Sequence, residues 1–66
     1  MRIRLNGSPK ELDPALTVAG LLAVLGLGRD GIAVAVNRQV VPRSAHESHV
    51  LAEGDDVELI QAVGGG

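Results

Sequence analysis

The residues able to do chemistry in this 66-residue chain fall into four groups. Two imidazoles, His46 and His49, stand three apart, so on a helix they would share one face. They could begin a zinc site, with a lone carboxylate such as Glu47 or Glu53 as the third ligand. The chain has no cysteine to complete such a set, and solvated loop histidines are the better reading. The second group is Glu53, Asp55 and Asp56 around Gly54, where a solvated turn outweighs acid or metal work. The third is the hydroxyls of Ser8, Thr17, Ser44 and Ser48. None is paired in sequence with a base, and turn or capping roles explain them, with Ser44 available as a cap. The fourth is Gly64, Gly65 and Gly66, which follow an apolar run. Glycines add nothing to a core and cost much entropy to order. They also make the thinnest tail a polypeptide can have, able to thread a narrow channel and present the α-carboxylate of Gly66. A frayed end is the plainer alternative.

No other group supplies a nucleophile, base or metal site. Gly26-x-Gly28 lacks the third glycine and the preceding strand of a dinucleotide loop. A domain this small also lacks the volume for a ligand cleft, so no bound cofactor and no metal are expected.

Composition narrows the class further. Sixty-six residues make one domain, which buries only about 60% of its unfolded surface. The apolar fraction of 45% is aliphatic, with no aromatic residue, so a base-stacking surface is excluded. Six basic and eight acidic residues give a net charge of −2. They form neither a basic stripe for nucleic acid nor a polybasic membrane segment. The longest apolar stretch, residues 16–27, is too short to span a bilayer. No charged segment followed by an apolar one opens the chain, so a cytoplasmic location is expected.

The elements that must position the tail follow from periodicity. Residues 1–5 alternate, with Ile3 and Leu5 on one side and Arg2 and Arg4 on the other, which predicts a half-buried strand. Asn6-Gly7 is a strong hairpin signal, prolonged by Ser8-Pro9, and residues 10–13 form the return strand with Leu12 inward. Asp13-Pro14 breaks it. Thr17 is placed to cap a helix whose stripe is Val18, Leu21, Leu22 and Leu25, with Gly20 inside and Gly26 and Gly28 at its exit. Ile32, Val34 and Val36 alternate with Ala33 and Ala35, a strand apolar on both faces and so central or partner-covered. Asn37-Arg38 turns the chain into a brief strand, residues 39–41, that Pro42 stops. Residues 43–48 are irregular or a single helical turn. After the turn at residues 53–56, Val57 and Leu59 define a strand running to Gln61 or Val63. The order β-β-α-β-β-β predicts a two-layer α+β roll with one main helix on one face of a mixed sheet. The crossover favours parallel pairing of the first and last strands. Residues 1–61 form the domain and residues 62–66 a flexible glycine-rich tail.

Several segments match one family together. They are residues 1–6 with the following turn, residues 17–22, the run from Val34 to Ser44 containing Val36-Asn37-Arg38-Gln39-Val40-Val41-Pro42-Arg43, the Glu53-Gly54-Asp55 turn, and the ending from Val57 to Gly66. Over its whole length the chain resembles the ThiS family of sulfur carriers of thiazole biosynthesis. The resemblance implies a β-grasp (ubiquitin-like) fold and no catalysis by the chain itself. It implies that a ThiF-type enzyme adenylates the Gly66 carboxylate using ATP. A cysteine-desulfurase relay or comparable donor then supplies sulfur to form a thiocarboxylate. Thiazole synthase (ThiG) receives that sulfur for the thiazole ring of thiamine. Gly66 is the reactive residue, Gly65 and Gly64 thread beside it, and Ile60 and Val63 contact the partner. The family often carries an aromatic residue after Pro-Arg-Ser, where this chain has His46.

Docking is expected on the sheet face opposite the helix, on Ile60, Ala33, Ala35 and Val41 beside Arg2 and Arg4. The nearest alternatives share the tail: a carrier resembling MoaD of molybdopterin synthase, a carrier for tRNA thiolation, or a ubiquitin-like modifier joined through Gly66 to lysines. MoaD is usually longer and richer in aromatics. An interaction domain with an inert tail is the remaining alternative.

Overall fold

The computed structural model describes residues 1–27 and 31–61. The chain runs through β1 (Arg2–Leu5), β2 (Ser8–Glu11), helix α1 (Val18–Val24), β3 (Ile32–Val36), β4 (Gln39–Val41), a 3₁₀ turn (Arg43–Ala45) and β5 (Asp56–Gln61). The sheet order is β2-β1-β5-β3-β4. β5 pairs parallel with β1, as the crossover requires, and antiparallel with β3. The central strand is therefore β5, with β3 one place out, between β5 and β4.

Both hairpins close through two residues in the left-handed region: Asn6 and Gly7 in the first, Asn37 and Arg38 in the second. These are the φ values of type I′ turns, whose twist matches that of the flanking strands. The expected extension of the first turn through Ser8-Pro9 does not occur. Ser8 pairs with Leu5 and Pro9 with Arg4, so the return strand begins at residue 8 rather than 10. Proline is tolerated there because β2 lies at the sheet edge, where its missing N–H faces away from the ladder. Leu12 lies just past the strand and is buried, with its N–H donating to the Met1 carbonyl.

The helix begins and ends as its residues dictate. The Thr17 hydroxyl accepts from the Gly20 N–H at 3.0 Å. At the other end the Leu27 N–H donates to Leu22 O and the Gly26 N–H to Ala23 O, the two bonds of a Schellman motif with Gly26 at φ +72°. Gly28, the second expected exit glycine, lies outside the described residues. Gly20 has a packing reason. A Cβ there would lie 2.7 Å from Leu16 Cδ1, so the glycine lets Leu16 close over the first turn.

Val18, Leu21 and Leu22 press onto Ile3, Val34, Val36, Val41 and Val57, with Leu12 and Leu51 completing the core. Val41 is 5% exposed and belongs to this inner face, not to the outer one where docking was expected. Its partner in the ladder is the inward Val34, so period-two alternation sends Val40, not Val41, outward. The segment between β4 and β5 then crosses the N-terminus of α1. Carbonyls of His46 and His49 accept the N–H groups of Ala19 and Val18, which have no partner within the helix. A bridge between Thr17 and Val50 fixes the same junction.

Candidate functional site

Two arrangements have to be weighed: the polar groups of the body, and the outer sheet face from which the tail departs. The body uses its polar groups structurally. His46 is 1% exposed, which overturns its reading as a solvated loop residue. Its Nε2 lies 3.1 Å from the Val41 carbonyl, which can only accept, so Nε2 carries the proton. Nδ1 is buried without a partner among the described residues. The imidazole is the one buried ring in a chain without Phe, Tyr or Trp, and it fills the core beneath the 3₁₀ turn. The nearest sequence signal for this was the family's frequent aromatic residue after Pro-Arg-Ser. His49 is half-buried and engages the helix through its backbone.

Two carboxylates of the turn at residues 53–56 are equally committed. Asp55 accepts from the Ala52 N–H at 2.8 Å and from Asn37 Nδ2 at 3.0 Å. Glu53 accepts from the Arg2 N–H at 3.0 Å. The first of these bonds closes the turn and the other two tie it to the second hairpin and to β1, and no group of three metal-ligating side chains forms among the described residues. Thr17 caps α1, whereas Ser44 does not cap the 3₁₀ turn, whose N-cap is Pro42 without a side-chain bond. Ser48 donates to Ala45 O at 3.3 Å. No helix among the described residues is long and apolar enough to cross a membrane.

The two hairpin asparagines lock β5 from both sides. Asn6 Oδ1 accepts from the Leu59 N–H at 2.9 Å, and the Asn6 N–H donates to Val57 O. Asn37 Oδ1 accepts from the Asp56 N–H at 3.0 Å, and the Asn37 N–H donates to Asp56 O. The strand that leads into the tail is thus the most heavily tethered one.

On the outer face the ladder sets Ala33 opposite Ile60, and Ala35 opposite both Glu58 and Val40. Ile60 is 60% exposed and Val40 74%. Ile60, Ala33 and Ala35 therefore lie together as expected, with Val40 in the place assigned to Val41. Arg2 and Arg4 are exposed on β1, but Arg4 pairs with Asp56, so both lie toward the start of β5 and not beside Ile60 as expected. A shallow depression of about 410 Å³ adjoins the patch, lined by Arg4, Asn6, Gly7, Arg38, Asp56 and Glu58. An apolar patch with a charged border on a chain this small has the make-up of a protein interface. Gln61 closes β5 beside Ile60, so whatever follows residue 61 starts at the patch. The tail residues Val63, Gly64, Gly65 and Gly66 lie outside the described residues.

Known proteins are similar to this chain over its whole length. The ThiS family matches residues 3–66. The sulfur carrier protein ThiS of Escherichia coli is 35% identical over 66 residues, with both chains covered in full. A thiazole synthase of Magnetococcus marinus is 39% identical over all of this chain, which spans about a fifth (20%) of that protein's length. The crystal structure of the thiamine biosynthesis protein ThiS from Geobacter metallireducens superposes with a TM-score of 0.85 at 32% identity, covering 100% of each chain. The fold is accordingly a β-grasp, ubiquitin-like roll.

Proposed function

Because this chain belongs to the ThiS family of sulfur carriers, we propose that the terminal carboxylate of Gly66 is its working group and carries sulfur for the thiazole ring of thiamine. A free carboxylate is a poor electrophile. A ThiF-type partner uses ATP to convert it to an acyl-adenylate with release of pyrophosphate; a persulfide fed by a cysteine-desulfurase relay displaces AMP, and a thiol reductant then cleaves the acyl disulfide. The resulting thiocarboxylate donates its sulfur to thiazole synthase. The carrier itself holds no cofactor and supplies position alone.

The observation that carries this reading is the end-to-end match with a sulfur carrier. The similarity to part of a thiazole synthase supports the synthase as receiver, since in that relative a stretch like this chain belongs to the same polypeptide. Geometry supports the mode of delivery. The body docks through Ile60, Ala33, Ala35 and Val40, while residues 62–66, fully extended, reach at most about 17 Å into the partner. Gly65 and Gly64 keep that path narrow, and Val63 contacts its entrance.

Intact mass spectrometry tests the reading. After incubation with the ThiF-type enzyme, ATP and a sulfur source, the mass should rise by the difference between sulfur and oxygen, localised to Gly66. No gain with an enzyme that is active on another carrier would refute it. Isopeptide adducts on lysines would identify a protein modifier instead.

A further inference from the structure

The two hairpins have the same turn geometry and different sequences. The first uses Asn-Gly, the relaxed solution for two consecutive residues with positive φ. The second places Arg38 at φ +69°, where a side chain brings its Cβ against the following carbonyl. Gly7 at the matching position, φ +85°, shows that the relaxed residue suits this turn in the same sheet. Arg38 thus keeps, at an exposed position, a backbone conformation that glycine would adopt more easily.

Arg38 borders the outer-face depression with Arg4, Asp56 and Glu58. Among the described residues, the side chains of Arg38, Asp56 and Glu58 make no ion pair or hydrogen bond. Arg4 makes one long bond, 3.4 Å, to Gly7 O. Charges of both signs thus stand side by side, unpaired, at the border of the Ile60 patch. The patch alone cannot orient a partner, because aliphatic contact is non-directional. Charges of both signs at its border can, since a misoriented partner would meet like charge.

We propose that Arg38 and Glu58 form a charged key that sets the orientation in which thiazole synthase receives the carrier, the synthase surface presenting a carboxylate to Arg38 and a basic side chain to Glu58. The assignment to the synthase rests on the functional reading above.

The test measures binding of the full-length chain to its thiazole synthase by calorimetry, alongside thermal melting. Arg38→Glu and Glu58→Arg should each weaken binding about tenfold, with the loss shrinking at high salt. Arg38→Gly should move two readouts in opposite directions. Relief of the left-handed strain raises the melting temperature by about 2–5 °C, while loss of the guanidinium weakens binding. A merely structural residue would not separate them. Charge-reversed variants that bind like the unchanged chain overturn the key and leave the functional reading intact. An Arg38→Gly protein that melts lower overturns the strain premise. An unchanged chain that does not bind the synthase overturns both the receiver assignment and the key.

Discussion

The two faces of the same sheet follow opposite rules. Inward, Ile3, Val34, Val36, Val41 and Val57 meet the helix and leave almost no accessible surface. Outward, the alternate positions carry Arg2, Arg4, Ala33, Ala35, Val40, Glu58 and Ile60, small or charged residues around two exposed branched ones. The inner face is replaceable by any aliphatic set of equal volume. The outer face has no helix to pack against, and on the proposed function its apolar residues serve a partner. The difference separates stability from function residue by residue, on a strand where adjacent residues, about 3.3 Å apart, point to opposite faces.

That separation can be broken or sharpened by substitution. The largest effect is expected inside. Leu21→Ala should cost about 2–5 kcal/mol, a large part of the roughly 3–10 kcal/mol available to a domain of this size. Urea denaturation reads the loss, and carrier activity should fall only in proportion to the folded fraction. An activity loss in fully folded Leu21→Ala protein would erase the distinction between faces. Next comes Ile60→Asp, expected to weaken binding to the adenylating enzyme and the synthase at least tenfold, about 1.4 kcal/mol, with native circular dichroism and an unchanged urea midpoint. Unchanged affinity would remove the patch from the docking surface. The smallest is Val40→Ser. Val40 is more exposed than Ile60 but lies on the edge strand, away from the exit of β5. Binding should weaken about two- to threefold, in line with a peripheral contact outside the hot spot. A loss exceeding that of Ile60→Asp would move the centre of the interface to β4.

Much of this was legible in the chain. The helix could be read from the Val18, Leu21, Leu22 spacing, its start from Thr17 and its stop from Gly26, because caps and stripes are local. Parallel pairing of β1 with β5 followed from the crossover. The misreadings share a physical cause. Ser8-Pro9 looked like turn because proline usually breaks a ladder, and only its place at the sheet edge makes it harmless. Val41 was sent outward because a three-residue strand offers too little alternation to fix its phase. His46 was read as solvated because nothing local buries it; its burial comes from the loop folding across the helix N-terminus, a contact between distant parts of the chain. The docking residues Ile60, Ala33 and Ala35 were legible as a face. The strain at Arg38 was not, since φ cannot be read from an Asn-Arg pair.

The central place of β5 also has a kinetic meaning. β1 exposes one of its two edges, and β3 one of its own, until the strand at Asp56–Gln61 slots between them. The parallel pair joins residues 4–5 to residues 56–57, so almost the entire chain must exist before that loop can close. During synthesis the two hairpins can form early as separate pieces, each with an open edge that invites pairing with another chain. Folding then completes in one late step, and the body able to dock a partner comes into being only as the segment bearing the tail is made.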